Sequence, residues 1–209
     1  MSGRVLTDIE ASLSVYQRKQ HPLRSVSRRA AVAIMLSQTA GDVNVLMIRR
    51  AERKGDPWSG HMAFPGGMVD AKDSHSFAAA VRETEEEIGF QLTPADRVIG
   101  RLSDIRARRA QSHSDRGLVV CPYVLRVDRD ISATPNHEVA EVVEVPLSFI
   151  LDLSNRRPMP AELLDMPRQI PCYQYQNKVI WGMSLAMLDE ILTHTFQSHP
   201  KPWQIESPV

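Results

Sequence analysis

One stretch constrains this chain more than any other: Gly60 to Phe90, reading GHMAFPGGMVDAKDSHSFAAAVRETEEEIGF. It predicts a short strand (His61 to Phe64), a turn at Pro65-Gly66-Gly67, a polar loop, a helix, and a stop at Gly89. Asp73 or Ser74 is the expected helix cap, and Gly89 stands where a C-terminal glycine ends a helix without steric cost. At 100° per residue, Phe77, Val81, Thr84 and Ile88 fall within about 60° of one another, which predicts a buried stripe. Glu83, Glu86 and Glu87 lie on roughly the opposite side, spread over about 100°.

Carboxylates at i, i+3 and i+4 repel, and like charges so spaced cost a helix a few tenths of a kcal/mol per pair. A solvated acidic face is the bland account of such a cluster. Two features favour a functional one. The helix is fed by a Gly-Gly turn, which lets backbone amides and carbonyls approach a ligand closely. The cluster is hard oxygen only, with no His or Cys beside it, a donor set that suits Mg²⁺ or Mn²⁺ and not zinc. A divalent ion would remove the repulsion.

Gly67 onward, with Arg82-Glu83-Thr84-Glu85-Glu86-Glu87-Ile88-Gly89-Phe90, resembles the Nudix box, G-x5-E-x7-R-E-U-x-E-E-x-G-U. The second half matches residue by residue, except that Thr84 stands where an aliphatic is usual. The first half departs: Ser74 and Met68 occupy the strict Glu and Gly positions, whereas Gly67-x5-Asp73-x8-Arg82 fits with one extra residue. That spacing, with Phe64-Pro65-Gly66-Gly67 before it, is similar to the coenzyme A pyrophosphatase branch of the family. The resemblance covers roughly residues 28 to 195. It implies an α/β fold, a Nudix-type α/β/α sandwich with a mixed sheet, where composition and periodicity alone reach only α+β or α/β.

The resemblance also implies a chemistry. Glu83, Glu86 and Glu87, joined by the Gly66 carbonyl, would hold Mg²⁺ or Mn²⁺, and one unligated glutamate would act as general base. Arg82 reaches Glu86 at i+4 and Glu85 at i+3, so it is assigned to orienting carboxylates. Asp73 is the candidate to hold Arg82. Pro135-Asn136-His137-Glu138-Val139-Ala140-Glu141-Val142 resembles the family segment N-x-x-E-V-x-E-V, in which a carboxylate outside the box takes part in catalysis; Glu138 and Glu141 are the candidates, against a purely structural role. The expected substrate is a small-molecule nucleotide, with coenzyme A or an acyl derivative first, cut to 3′,5′-ADP and 4′-phosphopantetheine. ADP-ribose, NADH or another dinucleotide is the second reading. A Nudix-fold binding module without turnover is the third, and the intact glutamate set argues against it. The segment Arg49 to His61 does not reproduce the branch's L-R-x-H-x-G-Q lead-in, which bears on the substrate and not on the chemistry.

With 209 residues, 43% hydrophobic, the chain can bury a substantial core. A formal net charge of zero supplies no long-range field for nucleic acid, so no polynucleotide partner is expected. No apolar run approaches the roughly 18 residues of a membrane span. The N-terminus shows no apolar signal core, and Cys121 and Cys172 read as free buried thiols, so a cytoplasmic protein is expected. A homodimer is compatible with the resemblance, although no segment marks an interface.

Three regions are expected: an N-terminal helical extension (1–27), the hydrolase domain (28–195) and a C-terminal tail (196–209). Thr7-Asp8 is the expected cap of a first helix carrying Ile9, Leu13 and Tyr16, and Arg18, Lys19, Arg24, Arg28 and Arg29 form a basic patch read as solvated. Ala30 to Leu36 and Val43 to Ile48 read as a hairpin around Gly41-Asp42, the first strand central. Arg97 to Leu102 and Leu118 to Val127 read as strands, with Pro122 at an edge or bulge. Ser103 to Arg116, with Arg106, Arg108, Arg109 and Arg116, reads as a loop, solvated or clamping substrate phosphate. Val143 to Leu147 continues a strand into a helical turn at Leu147 to Leu151. Residues 152–171 read as an irregular connection, a lid or dimer contact. Cys172 to Gln176 and Lys178 to Trp181 read as a hairpin, Trp181 in the core. Met183 to Thr195 reads as a helix with Leu185, Leu188, Ile191 and Leu192 inward, followed by a loosely held tail from His199.

Overall fold

The computed structural model describes residues 2–39, 41–55, 58–107, 117–160 and 170–202. Its centre is strand β1 (Arg28–Thr39), apolar on both faces because both are covered. Ala31, Ala33 and Met35 enter one core, while Ala30, Ile34 and Leu36 enter the other. On one side β1 runs parallel to β7 (Leu118–Val127) over its length. On the other side its end forms the expected hairpin with β2 (Asp42–Arg50), and its beginning pairs with β4 (Gly66–Met68).

β2 thus parts from β1, and the chain from β3 (Met62–Ala63) to β4 fills the gap: β3 pairs with β2, β4 with β1. The Gly66-Gly67 step, expected as a turn, is therefore the entry to a strand. β8 (Val139–Pro146) covers the far side of β2, and β5 (Arg97–Arg101) and β6 (Ile105–Ala107) pair with β7. Part of the expected 103–116 loop is thus strand; its residues 108–116, with Arg108, Arg109 and Arg116, lie outside the described residues. Pro122 sits in an interior strand, opposite the junction of β5 and β6, where its carbonyl accepts the Leu102 N–H and its missing N–H costs no ladder bond.

Helix α2 (Ser76–Ile88) covers one face, over Ala31, Ala33 and Met35. Helices α1 (Ser2–Ser14), α3 (Leu147–Leu151) and α4 (Gly182–Thr195) cover the other, so the mixed sheet is a sandwich with helices on both sides. α1 begins a turn before the expected Thr7-Asp8 cap, because Leu6 joins Ile9 and Leu13 in the shared core. The basic residues that follow are not all solvated: the Arg24 guanidinium donates to Asp104 at 2.6 Å and lies 3.1 Å from Cys121 Sγ. Asp104 also accepts from Arg101 and from the His21 N–H, tying the segment after α1 to the sheet.

A second, small sheet joins β9 (Arg156–Pro158), β10 (Pro171–Tyr175) and β11 (Lys178–Ile180). The connection expected to be irregular therefore begins with a 3-10 turn (Leu153–Asn155) and a strand, while residues 161–169 lie outside the described residues. Trp181 is half-buried beside the Met159–Ile170–Cys172 cluster, with its ring edge-on to His61. Both cysteines are free and buried, as expected. The tail is anchored at His199, where it was expected to loosen: buried His199 contacts buried Asp189 at 3.0 Å, and Arg156 makes two 2.8 Å bonds to the same carboxylate, while residues 203–209 lie outside the described residues.

Candidate active site

The site forms where the C-terminal half of α2 crosses β4. Gly66 has φ +149, and a Cβ there would lie 2.2 Å from the Ala31 carbonyl oxygen, so only glycine lets β4 pair this closely with β1. A Cβ on Gly67 would fall 2.4 Å from Glu83 Cδ, so the Glu83 carboxylate rests against a bare α-carbon. Residues 65, 67 and 69 face residues 33, 31 and 29 of β1, which turns the backbone groups of Gly66 and Met68 away from that strand. The Gly66 N–H donates to Glu87 Oε2 at 2.9 Å, and the Met68 carbonyl accepts from Arg82 at 3.0 Å.

Of Glu83, Glu86 and Glu87, only Glu86 stands exposed. Glu87 is 4% exposed, and the buried side of α2 runs through Ala79, Ala80, Thr84, Glu87 and Ile88, with Phe77 and Val81 only partly covered. The side-chain-free glycines explain this, since they let the acidic side of the helix close onto backbone. Thr84, in the box's aliphatic position, is fully buried and returns its hydroxyl to the Ala80 carbonyl. Burial first, then the charges of Glu83 and Glu138, push the Glu87 carboxyl up to about 7, against the Gly66 N–H and Arg50. Burial likewise raises Glu83, with Glu86 and Glu138 adding to it and Arg82 opposing.

Arg82 is the internal counter-charge. It donates to Glu83 at 2.8 Å and to Glu86 at 2.9 Å, and takes Asp73 with two nitrogens at 3.1 and 3.0 Å. Hydrogen bonds from Arg82, then from the Asp70 N–H, hold Asp73 down at about 2. Asp73 is thereby spent, and the helix is capped instead by His75, whose Nδ1 accepts the Ala78 N–H at 3.0 Å. The expected Glu85 contact is not made, because Arg82 turns toward β4 and the loop; Glu85 instead accepts a weak bond from Gln91. Gly89 closes the helix in the left-handed conformation, φ +66, as expected.

A second segment closes the site. The N–H groups of Thr134 and Asn136 donate to the carbonyls of Ile88 and Glu87, and the Asn136 side chain donates to the Glu86 carbonyl at 2.8 Å. These bonds satisfy carbonyls that the helix end leaves unpaired. They bring Glu138 near enough for its charge to act on Glu83 and Glu87. Glu138 is itself paired with Arg53 at 3.1 Å. Glu141 faces elsewhere, to Lys178 at 3.0 Å and Arg49 at 3.9 Å. Asn136 was legible in the sequence only as part of a motif. No local signal marks its role, which depends on a contact with a helix end 50 residues earlier.

The donor chemistry fits a divalent cation. Four carboxylates, Glu83, Glu86, Glu87 and Glu138, share one region, and two are raised because their charges are buried and crowded. Among the described residues no three acidic, His or Cys side chains already converge as a ligand set. Glu83 and Glu86 share Arg82 Nη1, and Glu87 holds the Gly66 N–H.

The NUDIX domain model matches residues 27–164. The "Uncharacterized Nudix hydrolase NudL" of Enterobacter sp. is 32% identical over 165 residues, 78% of this chain and 81% of its own. The protein of that name from Photorhabdus laumondii is 29% identical over 171 residues, 81% of this chain and 87% of its own. Among solved structures, a NUDIX hydrolase from Alicyclobacillus acidocaldarius aligns with a TM-score of 0.49 at 19% identity, covering 61% of this chain and 82% of that one.

Proposed function

Because this chain belongs to the NUDIX domain family and is a Nudix hydrolase, we propose that it cleaves the diphosphate linkage of a nucleoside diphosphate derivative with Mg²⁺ or Mn²⁺. The observation that carries the proposal is the closure of buried Glu87 and half-buried Glu83 against the Gly66-Gly67 backbone, with Glu86 and Glu138 beside them. Glu83, Glu86 and Glu87 with the Gly66 carbonyl would hold the cations, which neutralise adjacent phosphates and lower the pKa of an attacking water.

The chain's own residues do the rest. Arg82, fixed by Asp73 and the Met68 carbonyl, keeps Glu83 and Glu86 in place. A glutamate left free of metal takes the proton of the attacking water; Glu138, on its own loop, is the candidate outside the box. The bare α-carbons of β4 let the Glu83 carboxylate and the β1 backbone close in on either side, which keeps the acidic cluster beside the Gly66 backbone groups.

The substrate proposed is coenzyme A or an acyl derivative, giving 3′,5′-ADP and (acyl-)4′-phosphopantetheine. Its support is the one-residue shift of the box. Asp73, which fits only that shifted spacing, is the residue that takes Arg82 with both oxygens. The test is product analysis by chromatography and mass spectrometry with Mg²⁺ or Mn²⁺ and coenzyme A, acetyl-coenzyme A, NADH, ADP-ribose and dATP, with Glu86→Gln as control. Release of 3′,5′-ADP by the wild type and not by the variant is expected. Cleavage of NADH or ADP-ribose alone would keep the chemistry and discard the coenzyme A assignment.

A further inference from the structure

The Asn136 side chain is a two-ended bridge. Its Nδ2 donates to the Glu86 carbonyl at 2.8 Å, and its Oδ1 accepts the Glu138 N–H at 2.7 Å. One end therefore grips the helix that carries three of the four site carboxylates, and the other grips the residue that carries the fourth. Its backbone joins in: the Asn136 N–H donates to the Glu87 carbonyl at 2.8 Å, and its carbonyl accepts from Val139 at 3.2 Å. The Glu138 carbonyl accepts the Ala51 N–H at 2.8 Å, so the main chain of Glu138 is held on both sides.

Few side chains can make this bridge. The helix end presents a carbonyl and the loop presents an N–H, so the bridge must donate at one end and accept at the other. A primary amide does both at once. A carboxylate cannot donate, and its charge is disfavoured at a helix C-terminus. Alanine makes neither bond.

We propose that Asn136 is a positioning residue that sets the Glu138 carboxylate in register with Glu83, Glu86 and Glu87. The proposal rests on the reading of Glu138 as a catalytic carboxylate. Without the bridge the Glu138 carboxylate shifts, while Glu83 and Glu86 keep Arg82 and Glu87 keeps the Gly66 N–H.

A double-mutant cycle tests it. Wild type, Asn136→Ala, Glu138→Gln and the double variant are compared for kcat and KM on the substrate found to be cleaved, and for thermal unfolding. Glu138→Gln is expected to lower kcat by about 10²–10⁴-fold, as loss of a general base does. Asn136→Ala is expected to lower kcat by roughly 10- to 100-fold, the size of a misplacement effect, with KM changed less than about threefold. The double variant is expected to match Glu138→Gln within about twofold, because a bridge to a missing carboxylate has nothing left to position. Multiplicative losses in the double variant, or an unchanged kcat in Asn136→Ala, would overturn the inference while leaving Glu138 catalytic. A silent Glu138→Gln would overturn both that reading and the inference, and leave the glutamate helix as the site. Should Asn136→Ala fail to fold, Asn136→Asp, which keeps the acceptor for the Glu138 N–H, replaces it in the same cycle.

Discussion

Two adjacent glycines make opposite demands, and substituting each with alanine separates fold from chemistry. At Gly67 the atoms nearest the new Cβ are those of the Glu83 carboxyl group, at 2.4 Å for Cδ and 2.6 Å for both oxygens. Ordinary contact begins near 3.4 Å, so the carboxylate must retreat by about 1 Å. The end of a flexible side chain can do so, and alanine lowers the entropy of the unfolded chain by an equivalent of about 0.4–1 kcal/mol. The strain and this gain nearly cancel, so stability should change by about 1 kcal/mol or less, roughly 2–4 °C in Tm for a chain of this size. Catalysis has no such slack: a displacement of about 1 Å costs on the order of 100-fold in kcat. At Gly66 the Cβ meets the Ala31 carbonyl oxygen at 2.2 Å and Val32 Cα at 2.6 Å, backbone of the central strand, at φ +149. Overpacking of about 1–3 kcal/mol and backbone strain of about 1–3 kcal/mol combine there. Gly66→Ala should lose roughly 2–6 kcal/mol of stability. Thermal unfolding and product release, measured on both variants, decide the matter. Gly67→Ala with activity within about twofold of wild type would refute the placement of Glu83, and a normally stable Gly66→Ala would refute the β1–β4 contact.

Three further outcomes are expected. Saturating Mg²⁺ or Mn²⁺, at about 100 times Kd, should stabilise the protein by about 2.7 kcal/mol, and Glu83→Gln or Glu86→Gln should shrink that shift in a thermal melt. Burial works against the charge of Asp104, yet bonds from Arg24, the His21 N–H and Arg101 hold its carboxyl below the usual range. The stability it contributes is present above its unfolded pKa of about 3.9 and lost as pH falls through the lower folded value. Asp104→Ala should therefore cost on the order of 3 kcal/mol at pH 7 and flatten the acid limb of a stability-versus-pH curve. His199→Ala, by opening the buried contact to Asp189, should cost about 1–3 kcal/mol in denaturant unfolding without changing kcat.

Local chemistry left the clearest marks in the sequence. The β1–β2 hairpin, the strand Leu118–Val127, the glutamate helix with its Gly89 stop, the Leu147–Leu151 turn and α4 each depend on a short run of residues, and each stands where it was expected. The acid–arginine core of the site was legible for the same reason: Arg82 and Glu86 are one turn apart, a distance set by the helix itself.

What the sequence did not disclose were the contacts that cross the chain. Asp73 reads both as a helix cap and as the partner of Arg82, and only the packed loop decides between them: Arg82 takes both its oxygens and His75 caps. Glu87 reads as solvent-facing until β4 inserts between β1 and β2 and presents two glycines to the helix. Arg24 reads as surface until Asp104 and Cys121, some 80 and 97 residues later, receive it. Asn136 is one polar residue in a loop until it meets the end of a helix 50 residues earlier. Helical period and turn chemistry are written within a few residues, so the chain determines alone which segments are helix or strand and which residue types its glutamate helix carries. Burial and charge pairing depend on which distant segment arrives at each side chain, and only the packed sheet decides that.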